Sequence, residues 1–110
     1  MADTYKRVAR TSSSAAGATT VYTVPGATTA LVKKIHLSNN SGVSGTVKLH
    51  HVESGGSADG TNVILPTVTL GNNEQAIDDG PFVMETGDTL QILADGTNAI
   101  TINVYAAEVV

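Results

Sequence analysis

There is no cysteine in this sequence, no tryptophan, and no lysine or arginine anywhere from Leu49 to Val110. Each absence removes a class of protein. Without cysteine there is no disulfide scaffold and no thiolate metal site. With aromatic residues at only 4%, the core has to be aliphatic, built from valine, isoleucine, leucine and alanine. No stretch reaches the roughly 18 apolar residues of a membrane-spanning helix. The opening Met1-Ala2-Asp3-Thr4-Tyr5-Lys6-Arg7 lacks the apolar segment of a secretory signal, so the chain is expected to be made and used as written. Strong helix-forming runs are missing, whereas threonine and glycine are abundant. That balance points to an all-β chain of one domain.

All six basic residues (Lys6, Arg7, Arg10, Lys33, Lys34, Lys48) fall in the first 48 positions, although the net charge is −4. A nucleic-acid binder is expected to carry a basic face with interleaved aromatics, and the sequence does not show one. Split charge suits a head-to-tail contact between subunits, and suits an ordinary solvated surface equally.

What the sequence does have is a recurrent alternation of apolar and polar residues between turn signals. The stretch 21–39 organises it. Val21 to Val24 are β-branched or aromatic, and Pro25-Gly26 then reads as the tight turn of a hairpin, with Gly26 expected to take the positive φ of a type II turn. The strand that follows, 29–39, has a fault in its alternation: Ala30 and Val32 set one phase, Ile35 and Leu37 the other. A β-bulge at Lys33-Lys34 would let both pairs face one core.

Before this stretch, residues 4–10 form either the first strand of the domain or an extended arm laid on a neighbouring surface, and 11–20 reads as a small, polar linker. The expected division is an arm and linker over 1–19 and a domain over 20–110. After it come a strand over 46–53, an exposed Gly/Ser loop over 54–60, and an apolar run over 62–70. That run is two short strands or an edge strand broken at Pro66. A short segment over 74–77 precedes strands over 81–85 and 89–94. Asp95-Gly96-Thr97-Asn98 gives a hairpin signal, and the last strand alternates cleanly through Ile100, Ile102, Val104 and Ala106. A weak echo links Val24-Pro25-Gly26-Ala27-Thr28-Thr29-Ala30 with Glu85-Thr86-Gly87-Asp88-Thr89-Leu90, both turns feeding strands. Seven to eight short strands with turns every 8–12 residues predict an antiparallel β-sandwich, jelly-roll-like. Its expected core is Val32, Ile35, Leu37, Val47, Leu49, Leu90, Ile92, Ile100, Ile102 and Val104.

Chemistry is sparse. His50 and His51 are adjacent in a strand, so their side chains point to opposite faces and cannot share a metal. His36 could meet one of them across neighbouring strands, but a cupin-like site needs further ligands. Asp59, Asp78, Asp79, Asp88 and Asp95 sit in Gly-rich turns, where aspartate bonds its own backbone, and no calcium-loop spacing is present. No nucleophile elbow or phosphate loop is found. Tyr5, Tyr22 and Tyr105 are too scattered in sequence to suggest a sugar-stacking platform. The expectation is no enzyme, no catalytic residue, no metal and no cofactor.

Three phrases carry a resemblance. Val21-Tyr22-Thr23-Val24-Pro25-Gly26-Ala27-Thr28-Thr29-Ala30, running into Val32-Lys33-Lys34-Ile35-His36-Leu37-Ser38-Asn39, resembles a recurrent opening in small virion proteins of tailed bacteriophages. In this sequence Gly26-Ala27 stands where Ala-Gly is more usual. Pro81-Phe82-Val83-Met84-Glu85-Thr86-Gly87-Asp88-Thr89-Leu90 resembles their Gly-Asp segment, and Ile100 to Glu108 resembles their last strand. The likeness spans about residues 20–109, and its motifs form the fold rather than chemistry. It implies a virion structural protein, a capsid decoration (cement) protein in first place, with a neck, tail or fibre component as the alternative and a carbohydrate-binding jelly roll behind both. It further implies a location on the phage particle after assembly in the host cytoplasm, with the major capsid protein and a homotrimer as partners, and neither nucleic acid nor membrane. The interaction residues expected on this reading are Tyr5, Lys6, Arg7, Val8 and Arg10, set on the arm.

Overall fold

The structure, a computed structural model, describes residues 4–13, 19–40, 42–94 and 100–109. The described residues form nine strands and no helix: β1 (Thr4–Ser13), β2 (Thr19–Thr23), β3 (Thr29–Asn39), β4 (Gly45–Val52), β5 (Val63–Leu70), β6 (Glu74–Asp78), β7 (Phe82–Met84), β8 (Thr89–Ala94) and β9 (Ile100–Val109). They make two sheets. Sheet A has the order β1-β9-β3-β6, with β7 pairing further along β3, and sheet B the order β2-β8-β4-β5. Every pairing is antiparallel. The partners β1·β9, β2·β8, β3 with β6 and β7, and β4·β5 are those of one long ribbon folded over on itself, its tip between β4 and β5. This is the jelly-roll arrangement of an all-β sandwich. Two sheets packed through one apolar face each explain why one parity of every central strand is aliphatic. All ten expected core residues are buried, joined by Tyr22, Val24, Ala30, Leu70, Met84, Ala94 and Ala106.

The fault in β3 is a bulge. Val32 pairs with Ala106 and Lys34 with Tyr105, so Lys33 is the extra residue, and Ala30, Val32, Ile35 and Leu37 all reach the core. It does not stand alone. In β1 the pairing steps from Arg7↔Tyr105 to Ala9↔Val104, leaving Val8 as an extra residue on the other side of the same tyrosine. On the far side of β3, Val32 pairs with Phe82 and Ile35 with Asp78, so residues 79–81 lie opposite Lys33-Lys34 and part β6 from β7. The three irregularities line up as one crease across sheet A, through Val8, Tyr105, Lys33-Lys34 and the Asp79–Pro81 corner. Bulges increase local twist and bend a sheet, so a bend of sheet A is expected along this row.

Four expectations need correction. The strands joined at Pro25-Gly26 do not pair as a hairpin: β2 belongs to sheet B and β3 to sheet A, so the turn carries the chain between layers. The left-handed residue there is Ala27, at φ 55°, and not Gly26. The signal Asp95-Gly96-Thr97-Asn98 lies outside the described residues, and the strands flanking it, β8 and β9, sit in different sheets. The segment expected as an arm is β1 itself, paired with β9 from Thr4↔Glu108 to Ser13↔Ile100. Val8 and Ala9 pack against the core cluster, which supplies the burial that a free arm lacks. The described residues 4–13 thus belong to the domain, and the described part of the expected linker, 11–13 and 19–20, belongs to β1 and β2.

Two outcomes follow from these corrections. Ala27→Gly should stabilise the protein by about 1 kcal/mol in denaturant titrations, because Ala27 is exposed and its Cβ is strained at positive φ. Deleting residues 1–13 should lower the melting temperature markedly, since β9 loses one of its two partners. An unchanged melting temperature would show that β1 contributes nothing to the fold.

Candidate interaction surface

The expected interaction residues all lie on β1, the open edge of sheet A, where they have different tasks. Residues opposite one another in a pair share a face, so the register of β1 assigns each side chain. Tyr5, Arg7 and Arg10 lie opposite Ala107, Tyr105 and Asn103, on the outer face. Tyr5 is 58% exposed. Arg7 is exposed and, among the described residues, enters no hydrogen bond or ion pair. Arg10 donates from Nε to Asn103 Oδ1 at 2.6 Å, which leaves the rest of its guanidinium outward. Lys6 is already committed: its Nζ lies 3.3 Å from Glu108 Oε1. Val8 is the bulged residue and packs inward, so it serves the fold more than the surface.

The opposite edge of sheet A carries the other sign. β6 and β7 with their corner present Glu74, Asp78, Asp79 and, just beyond β7, Glu85. Glu74 accepts from the Gly71 N–H, and Asp78 accepts from the Gly80 N–H at 3.1 Å. Among the described residues none of these four carboxylates has a lysine or arginine partner. This edge also exposes Ile77 (48%) and Val83 (52%). The charge asymmetry seen along the sequence therefore reappears in space as a basic edge and an acidic edge of a single sheet.

Between the edges, an open groove of about 480 Å³ runs over the outer face, lined by Tyr5, Lys34, His36, Ile77 and Tyr105. Sequence separation hid the meeting of Tyr5 and Tyr105. No local signal marks it, because the pairing of β1 with β9, which sets Tyr5 opposite Ala107 and so diagonal to Tyr105, is a property of the topology. Tyr22 goes elsewhere: from sheet B it donates its hydroxyl to Glu108 Oε2 at 2.5 Å, tying the two sheets together at one end. Burial, followed by the hydrogen bond and the negative charge of Glu108, pushes the Tyr22 phenol far above its ordinary range, so it remains a donor.

The histidines do not converge. His36 is on β3 in sheet A and bonds Gln75 Oε1 at 2.7 Å. His50 and His51 are on β4 in sheet B. His50 is buried and bonds Asn62 Oδ1 at 2.8 Å, under the loop over 53–62, which folds back across the sheet and also covers Val52. His51 Nε2 meets Asp88 Oδ2 at 2.9 Å and its ring stacks near Phe82. Among the described residues no three metal-ligating side chains cluster. The turn aspartates Asp59 and Asp78 bond nearby backbone, as expected, and the bonds from the Thr61 hydroxyl and N–H hold Asp59 below its ordinary pKa. Asp95 lies outside the described residues.

Asp88 does more than shape a turn. It is buried, and it accepts from the N–H groups of Glu85 (2.9 Å) and Ser54 (3.2 Å) as well as from His51. Burial works to raise its pKa, but the bonds from His51, Glu85 and Ser54 and the His51 charge outweigh it and hold the carboxyl below its ordinary value. A depressed folded pKa means the stabilisation is present above the unfolded carboxylate range, near about 3.9, and is lost as pH falls through the folded value. Thermal melts from about neutral pH down to about pH 2 should show that acid loss in the parent protein. Asp88→Asn should cost roughly 1–3 kcal/mol at neutral pH and flatten the acid limb. An equally steep acid limb in the variant would assign the loss to other carboxylates.

No protein-family model matches the chain, and no curated protein matches it. A solved structure with a similar fold comes from Bacillus endospore appendages, described as a novel family of disulfide-linked pili. That chain is 16% identical, with a TM-score of 0.54, and the alignment covers 98% of this chain and 89% of that one. At this identity the likeness concerns the fold: an all-β sandwich that in the other protein builds a structural appendage.

Proposed function

We propose that this chain is a structural protein of a tailed-bacteriophage particle, a decoration protein that binds the head shell as an oligomer and reinforces it. The observation that carries the reading is the pair of open sheet A edges, one basic and one acidic, whose Arg7 and Asp79 have no charge partner within the chain among the described residues. Unpaired charge beside unpaired backbone on an ordered strand suits a protein that completes itself against a neighbour. The phrases around 21–39, 81–90 and 100–108 that resemble phage virion proteins support the same reading. The jelly-roll likeness to a pilus subunit supports a structural role more generally. With no cysteine in this sequence, assembly cannot use the disulfide links described for those pili. The major capsid protein is the partner in this proposal, and a trimer suits the threefold sites of a shell.

Gold-labelled antibody on intact particles tests it. Label spread over the head, in hundreds of copies, is expected. A ring of about a dozen copies or fewer at the neck would move the protein to the tail machinery, and particles without label would overturn the reading.

A further inference from the structure

Three of the five large apolar side chains that the described residues leave exposed, Tyr5, Ile77 and Val83, lie on the two opposite edges of sheet A. The unpaired cation Arg7 and the unpaired anion Asp79 lie on the same two edges, at the two ends of the crease. We propose that the β1 edge of one copy of this chain adds antiparallel to the β6–β7 edge of a second copy, so that sheet A continues from subunit to subunit with Arg7 set against Asp79.

Strand direction permits it. β1, β9, β3 and β6 alternate in direction, so a neighbour placed side by side in the same orientation offers its β1 antiparallel to β6. The crease then fixes the register. Both edges are irregular at one place, β1 at Val8 and β6–β7 at 79–81, and two bent edges fit only when the bends coincide. Keeping each side chain on its own face puts Tyr5 across from Val83 and Arg10 across from Ile77, with Arg7 at the Asp79–Pro81 corner. Apolar residues meet apolar residues or an aliphatic stem, and the charges meet their opposites. Slipping by one residue would put every pair on the wrong face.

Sheet B is a poorer template. Its β5 edge carries Pro66, which donates no backbone hydrogen bond, and two register shifts, while β2 is five residues long with a shift of its own. The β1 to β6–β7 contact joins unlike surfaces, so repeating it gives a closed ring or an open fibre. It is a property of the chain itself and stands or falls separately from the phage reading, which the particle labelling addresses.

The test is a charge exchange read by sedimentation of the purified full chain. The parent protein should associate with rising concentration, less so as salt is added. Arg7→Glu and Asp79→Lys should each weaken self-association roughly five- to tenfold. Both residues are exposed and make no ion pair among the described residues, so the melting temperature of each variant should stay near the parent value. Mixing the two variants should restore association, because each then offers the edge that the other lacks. Tyr5→Ser, which leaves all charges in place, should also weaken it. A parent that remains monomeric at low salt would overturn the proposal. So would association that ignores both charge reversals, or variants that fail to rescue each other when mixed.

Discussion

The structure depends on one geometrical constraint: a strand has a period of two, and a curved sheet must keep its apolar parity facing a curved core. β3 shows the difficulty most sharply, since it pairs with β9 on one side and with both β6 and β7 on the other. A strictly alternating β3 would bury Ala30 and Val32 only by exposing Ile35 and Leu37. Each of those side chains is worth about 1.5–3 kcal/mol when buried, so the single extra residue at Lys33 decides several kcal/mol. Its neighbours must then accept the bend. β9 stays regular, β1 takes up the bend at Val8, and the third partner breaks into two strands at 79–81. The crease is thus a shared property of the whole sheet.

The ends of the sandwich are closed by polar contacts, because an aliphatic core gives no direction to the turns above it. At the end carrying the turns over 24–28 and 85–88, the Thr86 hydroxyl accepts from the Thr28 N–H at 3.0 Å and donates to the Thr28 carbonyl at 2.7 Å. Val24 and the second turn exchange backbone bonds, from Val24 N to Asp88 O and from Gly87 N to Val24 O. Asp88 fastens this pair of turns to the end of β4 through His51 and the Ser54 N–H. Tyr22 and Glu108 tie sheet B to sheet A a short way inside. These polar groups are buried or half-buried and satisfied, which lets them specify geometry without leaving an unpaired donor or acceptor.

Much of the fold was legible in the sequence because burial alternation is a local signal. The core residues of β3, β4, β8 and β9 follow from it, and so does the bulge at Lys33. What was not legible is layer membership. Pro25-Gly26 marks a turn whether the flanking strands pair or cross between sheets, and nothing local tells the two apart. Ala27 rather than Gly26 takes the left-handed conformation because the layer crossing, and not a hairpin, sets the backbone there. β1 resembled an arm because its apolar content is low. An edge strand needs little of it, since one side of its backbone pairs, and among its described side chains Val8 and Ala9 are the ones that pack against the core. The candidate surface was half legible: the one-sided charge was plain in the sequence, whereas the meeting of Tyr5 and Tyr105, and the placing of Asp78 and Asp79 on the edge opposite Arg7, required the topology.

Absence of cysteine sets the energetics of any assembly built from this chain. A covalent link would hold subunits whatever the strength of each contact. Here the available pieces are a strand edge interrupted by a crease, two or three apolar side chains, and exposed ion pairs worth at most about 1 kcal/mol each. Such a contact is weak on its own and sensitive to salt. It becomes durable when several are made at once, either by closing a ring or by holding neighbours on a common surface, where the effective concentration replaces the missing bond. A head shell is a surface of that kind, with symmetry-related sites at fixed spacing. Weak self-contacts also keep free subunits from polymerising before the surface exists, which a strongly apolar edge would not do. On the proposed reading, the basic and acidic edges would act as much to restrain premature assembly as to complete it.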